Sequence, residues 1–179
     1  RAGLDTVVIT KKNLADSSTN WAQGGIAAAM DHDDLQAHID DTIRAGCGLS
    51  DPEIVEMVIQ ESAQRIEDLI TSGVRFDTDD DGFDLAIEGG HSSRRILHAK
   101  DATGAEIERA LIVEAKASPN LKLLESHMAV DLILKEKLAD IKEIAGIWVL
   151  SPKGDVQTIS ARAIIMATGG AGHIYRQTT

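Results

Sequence analysis

The chain has 179 residues, with 29 acidic and 18 basic side chains and a net charge of −11. With no Lys/Arg stripe, that balance argues against binding to a phosphate backbone. Its apolar runs are too short and too interrupted to cross a bilayer, and no segment has the basic, apolar, small order of a leader, so a cytoplasmic location is expected. The single cysteine, Cys47, makes no internal disulfide and reads as a small buried residue in a reducing compartment.

In chain order, Thr6-Val-Val-Ile-Thr10 predicts a strand, and a polar loop runs from Lys11 to Asn20. Gly24-Gly25 then opens a short Ala-rich helix expected at about 24–30. Leu35, Ile39, Thr42 and Ile43 follow helical spacing and predict a helix over 33–45, stopped by Gly46. Ser50-Asp-Pro-Glu53 has the form of a capping box. The apolar face Ile54, Val55, Val58, Ile59, Ile66, Leu69 and Ile70 extends that helix over 51–72. Asp77 to Gly82 reads as a turn, Arg95 to His98 as a short strand, and Ala102 to Ala117 as a helix broken by Pro119.

From Leu121 the period changes to that of strands: Leu121–Ser126, Ala129–Lys135, Ala145–Leu150, Val156–Ile159 and Arg162–Ala167. The turn at Pro152-Lys-Gly-Asp155 makes the central runs an antiparallel meander at about 128–160. The fully apolar Ala163–Ala167 has the pattern of a parallel strand buried on both faces. This order predicts an α/β fold, a nucleotide-binding layer with an antiparallel insertion. Both ends read as cut, as if the chain were an internal piece of a longer domain.

Three segments carry chemistry. In Ser17-Ser-Thr-Asn-Trp-Ala-Gln-Gly-Gly25, hydroxyls and small residues lead into two glycines, which let backbone N–H groups approach a planar or anionic ligand. The second is Glu88-Gly-Gly-His91 with the following Arg94, Arg95 and His98. The third is Arg162 to Gly172, where a buried strand ends in Ala167-Thr-Gly-Gly170. A competing pattern runs from Asp77 to Glu88, where three acidic positions, Gly82 and Glu88 satisfy the spacing of a calcium loop. Asp84 at the usually apolar eighth position, Gly89-Gly90 where a helix should start, and the lack of a partner loop favour an acidic hairpin turn instead. No metal site is expected.

The first segment resembles the FAD-contacting loop of the fumarate reductase, succinate dehydrogenase and L-aspartate oxidase superfamily. The resemblance implies a part of an FAD-binding three-layer domain that lacks its first βα unit, phosphate loop and substrate-capping domain. Ser18, Thr19, Asn20, Trp21, Ala22, Gln23, Gly24 and Gly25 are then FAD-binding residues, together with Lys11, Val130, Ala167, Thr168 and Gly169. Ser18 stands where the respiratory members carry a tethering histidine, which implies non-covalent FAD and no membrane association. The Glu88 segment is similar to the L-aspartate oxidase branch, where dicarboxylate-only relatives tend to have Phe. A carboxylate at Glu88 would accept a charge-assisted hydrogen bond from the α-amino group of aspartate and orient its Cα–H toward the flavin. His91, Arg94, Arg95 and His98 are candidates for positioning the dicarboxylate. The implied reaction is oxidation of L-aspartate to iminoaspartate, with oxygen or fumarate as electron acceptor and quinolinate synthase as a partner in NAD biosynthesis. The alternative within the superfamily is a soluble fumarate reductase or succinate-oxidising flavoprotein. The isolated piece is expected to be inactive and to bind FAD poorly.

Overall fold

The computed structural model describes residues 3–31, 34–138, 141–170 and 172–177. The chain forms two compact units, Arg1–Val7 with Leu14–Leu123, and Val8–Asn13 with Leu124–Thr179.

In the first unit, the loop after strand β1 (Thr6–Ile9) contains a single 3-10 turn at Thr19–Trp21 and leads to β2 (Ile26–Ala27). Helices α1 (Leu35–Ala45) and α2 (Pro52–Thr71) follow, then a two-residue hairpin of β3 (Thr78–Asp79) and β4 (Gly82–Phe83), β5 (Ile96–Leu97) and α3 (Thr103–Ala117). Strand β6 (Leu121–Leu124) pairs with β1.

The helix expected at 24–30 is instead β2. Its register with β5, Ile26 opposite Leu97 and Ala27 opposite Ile96, runs antiparallel. Tertiary pairing overrides the helical preference of the alanines because Gly25 lies where a Cβ would stand 2.3 Å from Ile96 Cγ2 and 2.5 Å from the Leu97 carbonyl oxygen. Ala28 and Ala29 are consequently buried.

Helix α2 begins one residue later than a Ser50-led box requires. Asp51 is its cap, accepting hydrogen bonds from the N–H groups of Glu53 at 3.0 Å and Ile54 at 3.4 Å. Its far end closes as the sequence predicts. Gly73, at φ 95°, lets its own N–H reach the Ile70 carbonyl and the Val74 N–H reach that of Leu69. Ala28, Ile66, Val74, Phe76, Leu97 and Ala110 form the core of this unit, with Phe76 and Phe83 edge to face at 6.5 Å. Cys47 corrects its expected burial: it is exposed, at φ 49°, in the left-handed turn that ends α1.

The second unit is built on the antiparallel meander β7 (Met128–Leu138), β8 (Ile141–Leu150) and β9 (Val156–Ser160). Gly154, at φ 89°, makes the turn before β9. Gly146 is required on β8 because a Cβ there would lie 2.3 Å from the Ile159 carbonyl oxygen. The register between β7 and β8 slips between Ala129 and Asp131, so Val130 sits at a bulge.

The expected buried strand at Arg162–Ala167 is not a strand in this structure. Ile165 is 93% exposed and Met166 66% exposed. A doubly covered strand requires neighbours on both edges and both faces, and no strand among the described residues pairs with this one.

Candidate functional site

The first unit brings the Ser18–Gly25 loop and the Glu88 loop together. The Gly25 N–H donates to Glu88 Oε1 across a long 3.5 Å hydrogen bond. A Cβ on Gly24 would lie 3.9 Å from the same oxygen, in ordinary contact. The other side of the Ser18–Gly25 loop rests on the start of α3, where the Gly104 N–H donates to the Ala22 carbonyl at 3.0 Å. Only glycine fits there, since a Cβ would stand 1.9 Å from the Thr19 carbonyl oxygen and 2.8 Å from Ala22 Cβ. Ser18, Thr19, Trp21, Ala22, Gln23 and Gly24 are exposed, and Asn20 is half-buried. The loop is thus a shelf held from behind at Gly25 and Gly104, with its hydroxyls and small residues uncovered. That cradle fits a planar ligand such as a flavin.

Glu88 opens a turn in a narrow loop, its carbonyl accepting from the His91 N–H at 3.2 Å. The base of the loop is closed by a bridge between Ala86 and Ile96, with the Ala86 N–H donating to the Ile96 carbonyl at 2.9 Å and the Arg95 N–H to the Ala86 carbonyl at 3.2 Å. Beneath the loop is a buried polar network that the sequence reading did not assemble. Arg95, 1% exposed, donates through Nε to Asp34 Oδ2 at 2.6 Å and through Nη2 to Asp34 Oδ1 at 2.7 Å, a bidentate pair. Its Nη1 donates to Asp41 Oδ2 at 2.7 Å and to His91 Nδ1 at 2.9 Å. Because arginine only donates, His91 carries its ring proton on Nε2 in this arrangement.

Asp41 Oδ2 also accepts from the N–H and the Oγ of Ser92, both at 2.7 Å, while Oδ1 is paired with Arg44. Hydrogen bonds from Arg95 hold the carboxyls of both Asp34 and Asp41 below the ordinary aspartate range, and Asp34 in turn raises Arg95. His38 packs beside His91 with ring centroids 5.6 Å apart. Burial first, then the nearby Arg95 charge, lowers its pKa, and its Nδ1 is buried without a hydrogen-bond partner among the described residues.

The candidates downstream of Glu88 have other engagements in this structure. Arg95 is consumed by Asp34 and Asp41, Arg94 donates to the Leu85 carbonyl at 3.0 Å, and His98 Nδ1 lies 3.1 Å from Asp77 Oδ2. Asp77 also accepts from the Lys100 N–H at 2.6 Å. The acidic segment 77–84 forms the β3–β4 hairpin, and no group of three or more potential metal ligands occurs among the described residues. Lys11, Val130, Ala167, Thr168 and Gly169 belong to the second unit, where all are exposed. The residues missed in the sequence are Asp34, His38 and Asp41. Asp34 stands at the cap of α1 and His38 and Asp41 follow it at spacings of four and three, and that stripe together with an Arg-Arg pair was the available signal.

The whole chain, residues 1–179, matches the family described as FAD binding domain. The chain belongs to this FAD-binding family. FAD is therefore its cofactor, and the family's fold is that of the succinate dehydrogenase and fumarate reductase flavoproteins. L-aspartate oxidase 1 of Ralstonia nicotianae is 45% identical over 179 residues, covering 97% of this chain and 34% of the relative. L-aspartate oxidase of Yersinia pestis is 42% identical over 96% of this chain and 34% of its own length. Among solved structures, E. coli quinol fumarate reductase FrdA superposes with a TM-score of 0.86 at 27% identity, over 96% of this chain and 29% of that one. The Mycobacterium smegmatis Sdh1 complex matches with a TM-score of 0.80 at 32% identity, over 93% and 30%. The chain thus spans about a third of the length of the curated family members it matches. No helix among the described residues is long and apolar enough to cross a membrane.

Proposed function

We propose that this chain is the FAD-binding part of an enzyme that oxidises L-aspartate to iminoaspartate, with FAD held non-covalently. The observation that carries this reading is the Glu88 carboxylate hydrogen-bonded to the Gly25 N–H of the flavin-type loop. When bound, FAD supplies the two-electron acceptor for the hydride leaving Cα. The chain's own contribution is orientation. The exposed Glu88 carboxylate accepts from the substrate's α-ammonium group, which fixes which face of Cα is presented. Ser18, Thr19, Asn20, Trp21, Ala22, Gln23 and Gly24 form the shelf under the cofactor. Lys11, Val130, Ala167, Thr168 and Gly169 are proposed as further FAD contacts. Ser18 offers no imidazole for a covalent flavin link, so acid precipitation should leave the flavin in the supernatant.

Oxygen or fumarate is the proposed acceptor for the reduced cofactor, in the cytoplasm, and quinolinate synthase is the proposed consumer of the product. The proposed parent carries the first βα unit and the substrate-capping domain outside this segment, so residues 1–179 alone are expected to be inactive.

The test is Glu88→Gln in the full-length enzyme. Loss of one charge-assisted hydrogen bond should lower kcat/KM for L-aspartate by about 10- to 100-fold, with a much smaller change for succinate. An unchanged aspartate-to-succinate preference would sink the assignment. The similarity to FrdA favours a second reading, a fumarate reductase or succinate-oxidising flavoprotein. It requires succinate or fumarate turnover in the unsubstituted enzyme to exceed that of aspartate.

A further inference from the structure

We infer that Asp41, on α1, is a positioning residue for Glu88, so that substrate discrimination is set partly by a helix that touches no ligand. This rests on the assignment of Glu88 to the substrate's amino group. Three observations carry it. First, the turn from Glu88 to His91 is closed by the His91 N–H on the Glu88 carbonyl at 3.2 Å and contains Gly89 and Gly90, the latter at φ 91°, so its placement depends on what holds it from outside. Second, the carboxylate of Asp41, 3% exposed, grips the loop just beyond those glycines through both the backbone N–H and the hydroxyl of Ser92. Third, the Arg44 paired with Asp41 also reaches the Gly90 carbonyl at 3.4 Å, and the Arg95 bound to Asp41 holds the loop's returning strand. The loop is therefore closed at its base by Ala86 and Ile96, turned by the His91 N–H on the Glu88 carbonyl, and clamped at its side by Asp41, while the Glu88 carboxylate meets the Gly25 N–H. A carboxylate that must meet an ammonium group within a hydrogen bond's length loses most of its selectivity if that clamp slackens.

The experiment measures the ratio of kcat/KM for L-aspartate to that for succinate in the full-length holoenzyme, with flavin content recorded for each variant. Asp41→Asn should lower the ratio about tenfold. Ser92→Ala, which keeps the backbone bond and leaves Arg95 paired, should lower it about fivefold. In a Glu88→Gln background both substitutions should have no further effect on the ratio, because they act through Glu88. A purely structural role would change flavin content or turnover of both substrates together and leave the ratio alone. If Glu88→Gln lowers the ratio but neither Asp41→Asn nor Ser92→Ala does, or if their effects add fully to that of Glu88→Gln, the positioning role is overturned. If Glu88→Gln itself leaves the ratio unchanged, the reading of Glu88 fails and the positioning role falls with it. Should Asp41→Asn not fold, Ser92→Ala decides.

Discussion

Arg95, the most polar kind of side chain in the protein, is 1% exposed, whereas Ile165, in the middle of its most apolar run, is 93% exposed. The two segments around them, 88–98 and 162–170, reverse what hydropathy alone assigns. In the first, every charge that goes inside meets a partner: two carboxylates, a hydroxyl and an imidazole surround one guanidinium. In the second, the side chains are suited to burial but no described strand lies alongside. Burial follows available partners, and a composition window measures only suitability.

The sharpest way to break the contrast is Arg95→Ala. It leaves the carboxylates of Asp34 and Asp41 without their principal partner, and should cost about 3–5 kcal/mol in urea unfolding. A cost below that of an ordinary surface substitution would show that the network is far wetter than its geometry implies. Gly104→Ala is next. The added Cβ must displace the Thr19 carbonyl or the start of α3, which should cost about 1–3 kcal/mol and weaken FAD binding in the full-length protein. Unchanged FAD affinity would mean that the loop is not seated as described.

The pH dependence of stability should show the network directly. His38 has a folded-state pKa below its ordinary value, so as pH falls below about 6.5 the unfolded chain takes up the proton first and stability declines. Asp34 and Asp41 are also depressed, so their contribution is present above about pH 4 and is lost as pH falls through their lower folded-state values. Two successive declines in the urea midpoint are expected, and His38→Gln should remove the upper one. Ile165→Ala is the smallest effect, within about 0.5 kcal/mol in this chain, because the side chain has little to lose. A larger loss would mean that the run packs after all.

Helices α1, α2 and α3 and the meander were legible in the sequence because their signals are local: an apolar stripe of period 3.6, Pro52 and Gly73 at the ends of α2, a Lys-Gly-Asp turn before β9. The Ser18–Gly25 loop and Glu88 stood out in the sequence by their residue types, and the structure brings the two together. Three features were not legible. Ile26–Ala29 looked helical because alanine favours helices, and only the approach of Ile96 and Leu97 to Gly25 made a strand of it. Asp34, His38 and Asp41 were not singled out in a helix read from its apolar positions, and only a buried Arg95 turned that face inward. Ala163–Ala167 looked like a central strand, yet it makes no pairing among the described residues.

The sequence by itself determined the element types wherever period and capping agree, and it set out the residue types from which the proposed contacts to a flavin and an amino group are drawn. The tertiary structure alone decided that Glu88 meets Gly25, 63 positions away, and that Asp41 grips Ser92, 51 positions away. Those pairings depend on where the chain returns in space, and a hydrogen bond between distant residues leaves no period in either segment to announce it.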